Sequence, residues 1–153
     1  MTIDFFNLLD DDGWVDMPVK QSYSKYLWND GGRLADAPVD MEATFRGGMS
    51  ISPHIDRGFN INGLRCRPNF VVPRHHHNMR ELIVVLGGEF HVEFGHPGEE
   101  GSQRVGPGES WISEAGTPYT MTAGPDGVTY LETWREPMDQ LETVWHDVGW
   151  VRR

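Results

Sequence analysis

Cysteine is almost absent from this chain: Cys66 is the only one. No intrachain disulfide framework can exist, and a reducing compartment is the simpler assumption. Long apolar runs are missing too, none approaching the roughly 18 residues that a membrane-spanning helix requires. Basic residues are scarce, 13 Lys and Arg against 23 Asp and Glu, for a formal charge of −10 over 153 residues. Attraction to phosphate backbones or anionic membranes is disfavoured, so neither nucleic acid nor membrane is an expected partner. The first residues carry no basic segment and soon reach Asp10-Asp11-Asp12, so no secretory leader is expected and a cytoplasmic protein is. No G-x-S-x-G elbow, P-loop or G-x-G-x-x-G after a strand occurs, and no neighbour marks Cys66 as a nucleophile. Nucleophilic hydrolysis and nucleotide chemistry are therefore not expected.

Glycine (18) and proline (10) recur throughout. Between them lie short stretches rich in β-branched and aromatic residues, which predict an all-β sandwich or barrel. Leu64 to Arg67, Glu89 to Phe94 and Val128 to Trp134 read as strands. Gly95-His96-Pro97-Gly98 and Gly106-Pro107-Gly108 read as turns. Residues 1–50 are the least regular and predict an N-terminal arm on the body, with Trp14, Trp28 and Phe45 as anchors; residues 51–153 would form the barrel. The tail, with Trp145 and Trp150, is suited to covering an open sheet edge or to a subunit contact.

The most informative run is Pro73 to Gly88. It holds His75, His76 and His77, then Glu81, then the apolar run Leu82 to Leu86 and Gly87-Gly88. The apolar run predicts a buried strand ending in a Gly-Gly turn. Side chains two apart on a strand share a face, so His75 and His77 project together, His76 points away, and Glu81 shares their parity if the strand stays regular. Two imidazoles and a carboxylate are a donor set that divalent first-row metals favour.

These residues resemble the cupin superfamily, small β-barrels of the double-sheet jelly-roll kind. The first cupin motif, G-x5-H-x-H-x3-E-x6-G, is met by His75, His77, Glu81 and Gly88, with Asn69 where its first glycine stands. The second, G-x5-P-x-G-x2-H-x3-N, is met at Gly108 and Gly116, while Glu114, Tyr119 and Ala123 take the proline, histidine and asparagine positions. The 19 residues between Gly88 and Gly108 suit one hairpin. The resemblance covers about residues 60–135 and implies a jelly-roll β-barrel with an irregular N-terminal arm.

It also implies that His75, His77 and Glu81 are the metal ligands. Two histidines and one carboxylate leave positions open on an octahedral ion, as in non-haem Fe(II) sites. The expected cofactor is a divalent metal, Fe(II) first, with Zn, Mn or Ni as alternatives. Tyr119, standing where the family has histidine, would bind the ion, hold a ligand by a hydrogen bond, or act as an acid. Arg65, Arg67, Phe90, Trp111 and Trp134 are candidates for a substrate pocket; one arginine turned inward could bind a carboxylate. Phe70, Phe94, Met121 and Tyr130 are further interior candidates, and His91 and Glu93 are expected to face outward. His54 could lid the barrel.

The function these expectations favour is a dioxygenase that cleaves a carbon–carbon bond of a small diketone-like or aromatic substrate. The alternatives are a metal-dependent lyase, isomerase or cyclase with Tyr119 as acid or base, and a non-catalytic metal or ligand sensor. A homodimer is expected by analogy with cupins.

Overall fold

The computed structural model describes residues 3, 5–10, 13–17, 26–29, 32–35, 39–52 and 59–152, and only the backbone at 26–29 and 32–35. His54 and the side chain of Trp28 lie outside the described residues. Strands dominate: β1 (Val15–Asp16), β2 (Tyr26–Asn29), β3 (Gly32–Ala35), β4 (Met49–Ile51), β5 (Ile61–Cys66), β6 (Val71–His77), β7 (Glu81–Phe94), β8 (Gly101–Val105), β9 (Ser110–Ser113), β10 (Tyr119–Trp134) and β11 (Thr143–Trp145). One short helix, α1 (Met41–Phe45), precedes β4, capped by the Asp40 side chain on the Ala43 amide. Strands β2 and β3 form a separate two-stranded sheet.

Two long strands make the barrel. β7 and β10 pair antiparallel from Glu81↔Trp134 to Phe94↔Tyr119, and both pass from one face of the barrel to the other. The first half of β7 pairs β9 and its second half pairs β8. Likewise the first half of β10 pairs β6, and its second half pairs β5. The result is two opposed layers, β1-β4-β5-β10-β7-β9 and β11-β6-β10-β7-β8, sharing the long strands at their bends. That is the double-sheet jelly roll, an all-β fold.

Inward positions alternate as the pleat requires. Leu64 and Cys66 on β5, Ile83, Val85, Phe90 and Val92 on β7, and Val128 and Tyr130 on β10 are buried. The run Leu82 to Leu86 is not buried on both faces, because Leu82 is 36% exposed while Ile83 and Val85 are inside. Phe94, a candidate interior residue, is 40% exposed.

Gly87-Gly88 is no turn either. β7 continues to Phe94, and the pair sits where the β7–β10 register slips. Gly88 has φ +71°, and a Cβ there would stand 2.0 Å from the Gly127 carbonyl oxygen, so only glycine fits this bulge. Asn69 has φ 59°. Asparagine tolerates that left-handed backbone better than most residues, which explains why it can stand where the motif has glycine.

The tail docks against both sheet edge and helix. β11 pairs β6, with Thr143 opposite His77 and Trp145 opposite His75. Trp145 and Trp150 stack edge-on with each other at 5.2 Å, and both reach the Phe45 ring, at 5.6 and 5.9 Å. Such ring pairs contribute about 0.5–1.5 kcal/mol each beyond area burial. The open edge of β6 is thereby closed.

Candidate metal centre

His75, His77 and Glu81 are all buried in the barrel, and they come from two strands rather than one. Six residues of extended chain would separate His75 from Glu81 by roughly 20 Å. Instead β6 ends at His77, residues 78–80 turn, and Glu81 opens β7 in the other layer. The hairpin brings the carboxyl to the His77 ring, with His77 Nε2 3.6 Å from Glu81 Oε1 and the His75 ring 5.1 Å beyond that of His77, centroid to centroid. A slip in the β6–β10 register between Tyr119 and Met121 puts both Val72 and His75 inward.

The two rings are fixed through their Nδ1 sides. His75 Nδ1 lies 2.7 Å from the Pro73 carbonyl, which can only accept, so Nδ1 carries the proton and Nε2 keeps its lone pair. His77 Nδ1 lies 3.0 Å from Thr143 Oγ1, a hydroxyl that can donate or accept. Burial lowers the His75 pKa to about 4, the neighbouring His146 and His76 adding to it. Burial also holds His77 well below the ordinary histidine range, helped by His75. Both imidazoles are neutral at pH 7, the form that binds metal.

Glu81 is 1% exposed. Its Oε2 accepts a hydrogen bond from the Tyr119 hydroxyl, and its Oε1 has no hydrogen-bond partner among the described residues. Burial, and then the charge of Glu132, push its carboxyl well above the usual range. Tyr119 is buried and its phenol is held well above 10 by burial and by Glu81, so it stays protonated and donates. In this position it orients the Glu81 carboxyl.

Among the described residues, no group of three or more His, Cys, Asp or Glu side chains converges closely enough to hold a metal ion as folded. The chemistry of the donors nevertheless fits one. An unpaired buried polar atom costs on the order of 1–3 kcal/mol, and the orphaned Glu81 Oε1 lies 3.6 Å from His77 Nε2, whose ring neighbours that of His75 with its own Nε2 lone pair. A divalent cation would satisfy all three.

Of the pocket candidates, Phe90 is core, packed edge-on against Tyr130 at 4.9 Å. Trp134 is buried with its ring 6.1 Å from His77. Trp111 lines a cavity of about 180 Å³ that also touches Val92, Val105, Ser113, Thr117 and Tyr119. Arg65 and Arg67 do not face it. Leu64 and Cys66 take the inward positions of β5, so Arg65 turns out to the N-terminal arm, donating to the Leu8 and Asp10 carbonyls at 3.3 and 2.8 Å and lying 4.3 Å over Trp14. Arg67 is exposed beside Phe70. His76 points outward, its Nδ1 2.8 Å from His146 Nε2, and His91 and Glu93 are exposed.

Sequence reasoning passed over three polar residues near these groups. Glu132 shares parity with Tyr130 and Trp134, and that signal places it inside. Asn62 faces it on β5. Thr143 gave no signal, since nothing local fixes where the tail docks.

No family model and no curated protein matches the chain. Solved structures do. A deletion mutant of Bacillus subtilis oxalate decarboxylase is similar at TM-score 0.53 and 19% identity over 63% of this chain. The same enzyme at pH 4.6 is similar at TM-score 0.50 and 18% identity, again over 63% of this chain. The chain spans about a quarter of the length of these structures, 27% in both cases. At such identities the likeness establishes the fold. The double-layered barrel around His75, His77 and Glu81 shares the fold of these structures, the jelly roll that the motif resemblance led one to expect.

Proposed function

We propose that this chain is a metal-dependent cupin enzyme that acts on a small organic molecule, with a divalent cation held by Nε2 of His75, Nε2 of His77 and Oε1 of Glu81. The observation that carries this reading is the buried Glu81 Oε1, unpartnered among the described residues and 3.6 Å from His77 Nε2, with the His75 ring next to that of His77 and both Nδ1 atoms already engaged. When bound, the cation would supply Lewis acidity and, as Fe(II), one-electron chemistry with dioxygen at its open positions. The protein supplies the rest. Thr143 and the Pro73 carbonyl hold the rings by their Nδ1 atoms. Tyr119 presents Glu81 through a single oxygen. Trp134 and the apolar wall around Trp111 and Val92 exclude water from the reacting molecule.

Three ligands with open positions favour a dioxygenase cleaving a carbon–carbon bond of a diketone-like or aromatic substrate. Metal analysis of tag-free protein, wild type against Glu81→Ala, tests the centre. Oxygen uptake over 1,3-diketones, hydroxyacetophenones and catechols, absent in His77→Ala, tests the reaction. No uptake on any of them by Fe(II)-loaded protein counts against the oxygenase. A lyase is the second reading, favoured by the protonated Tyr119 phenol poised beside Glu81, and the structural neighbours are themselves named as decarboxylases of oxalate. Product formation unchanged without dioxygen, and lost in Tyr119→Phe, would select it. We further propose a cytoplasmic homodimer. Among the described residues no helix is long and apolar enough to cross a membrane.

A further inference from the structure

The barrel holds a second carboxyl that the centre above does not use. Register sets Cys66, Leu64 and Asn62 of β5 opposite Val128, Tyr130 and Glu132 of β10. Cys66, Leu64, Val128 and Tyr130 are buried, so the same faces carry Asn62 and Glu132 inward. Asn62 Nδ2 donates to Glu132 Oε1 at 2.9 Å, and Glu132 Oε2 takes no hydrogen bond from the described residues. Asn62 is buried, whereas Glu132 keeps partial access. The charge of Glu132 is felt at Glu81, Tyr119, Tyr130 and Cys66, all interior groups.

Among the described residues, no basic side chain offsets this carboxyl. Burial pushes it up to about 7, with the Asn62 hydrogen bond pulling the other way. A staple between β5 and β10 would need only a neutral pair such as two amides, with no charge to desolvate. A carboxyl held by Asn62 through one oxygen, with its other oxygen taking no hydrogen bond from the described residues and the side chain part open, is suited to exchanging a proton with a molecule in the barrel.

We propose that Glu132, oriented by Asn62, is the proton acceptor of the barrel and takes the proton of an acidic hydroxyl, an enol or a phenol, from a small molecule bound beside Glu81. The ligand O–H bond breaks, its electron pair stays on the ligand oxygen, and the proton moves to Glu132 Oε2. This rests on the reading that an ionisable small molecule binds at the His75, His77 and Glu81 centre.

The test uses Zn(II)-loaded full-length protein, which binds without redox turnover, and acetylacetone as probe at pH 8. Ultraviolet absorption reports the enolate, and calorimetry in buffers of different ionisation enthalpy reports protons released to solvent. Wild type should form the bound enolate with little proton release. Glu132→Gln, which keeps the shape and the bond to Asn62, should release one proton per ligand bound and bind at least about tenfold more weakly. Asn62→Ala, which retains the carboxyl but not its orientation, should fall between and serves if the first variant does not fold. Equal proton release in wild type and the Glu132 variant, with enolate formed in both, overturns the assignment while sparing the centre. Absence of any acetylacetone binding to the Zn(II)-loaded wild type overturns both.

Discussion

Replacing Glu81 with Gln separates the fold from the centre. Burial holds the Glu81 carboxyl well above its ordinary range in the metal-free protein, which favours the protonated acid, and a carboxamide is the near-isostere of that form. The amide oxygen can still accept the Tyr119 hydroxyl, and the amide nitrogen falls where Oε1 stood, 3.6 Å from His77 Nε2. Metal-free stability should therefore change by no more than about 1 kcal/mol. Binding a cation requires the carboxylate, which an amide cannot become. A metal present at 100 times its dissociation constant stabilises the native state by about 2.7 kcal/mol. At roughly 2–4 °C per kcal/mol for a domain of this size, wild type should melt about 5–10 °C higher with metal than without. Differential scanning calorimetry of both proteins, metal-free and with Fe(II) under anaerobic conditions, Mn(II), Ni(II) or Zn(II), reads this directly. The reasoning fails if the Glu81→Gln variant shows the same metal-induced shift as wild type, or if no ion shifts wild type at all. Because Glu81 must release its proton on binding, wild-type affinity should also rise with pH.

Glu132→Gln should be as stable as wild type near pH 4 and more stable at pH 8. A carboxyl raised to about 7 in the fold from 4.5 stabilises fully below 4.5 and loses that contribution as pH rises through 7. The difference at pH 8 should be about 1–3 kcal/mol, the lower end if its partial solvent access screens the charge, measured by urea unfolding. Thr143→Val keeps the β-branched shape opposite His77 but removes the oxygen 3.0 Å from Nδ1. Metal affinity by chelator competition should fall roughly 10–100-fold, and Thr143→Ser should restore it. Gly88→Ala should cost more than the about 1–2 kcal/mol of a left-handed backbone, since its Cβ also meets the Gly127 carbonyl, whereas Gly108→Ala, at φ +82° with open space, should cost only that. Equal melting points for the two alanine variants would contradict the bulge.

The candidate donor residues are legible in the sequence, but the turn that brings Glu81 to His77 is not. Parity along one strand groups His75, His77 and Glu81 on one face, yet an extended chain would hold the carboxyl too far from the rings. The turn at 78–80 joins them, and the apolar residues after Glu81 alternate because β7 walls the barrel rather than running through its middle. Arg65 and Arg67 could not be placed until Leu64 and Cys66 were known to face in, since the register slip in β6 breaks any parity carried from β5. Glu132 was readable from Tyr130 and Trp134, whereas Thr143 depends on Trp145 and Trp150 packing onto Phe45, a contact spanning about a hundred residues that no local pattern encodes. Among the described residues no Lys or Arg is buried, so Glu81 and Glu132 share the interior with neutral imidazoles and phenols only. With both carboxyls ionised the barrel would carry two uncompensated negative charges. A divalent cation beside the histidines would balance them, and without it burial raises both carboxyls toward their protonated forms.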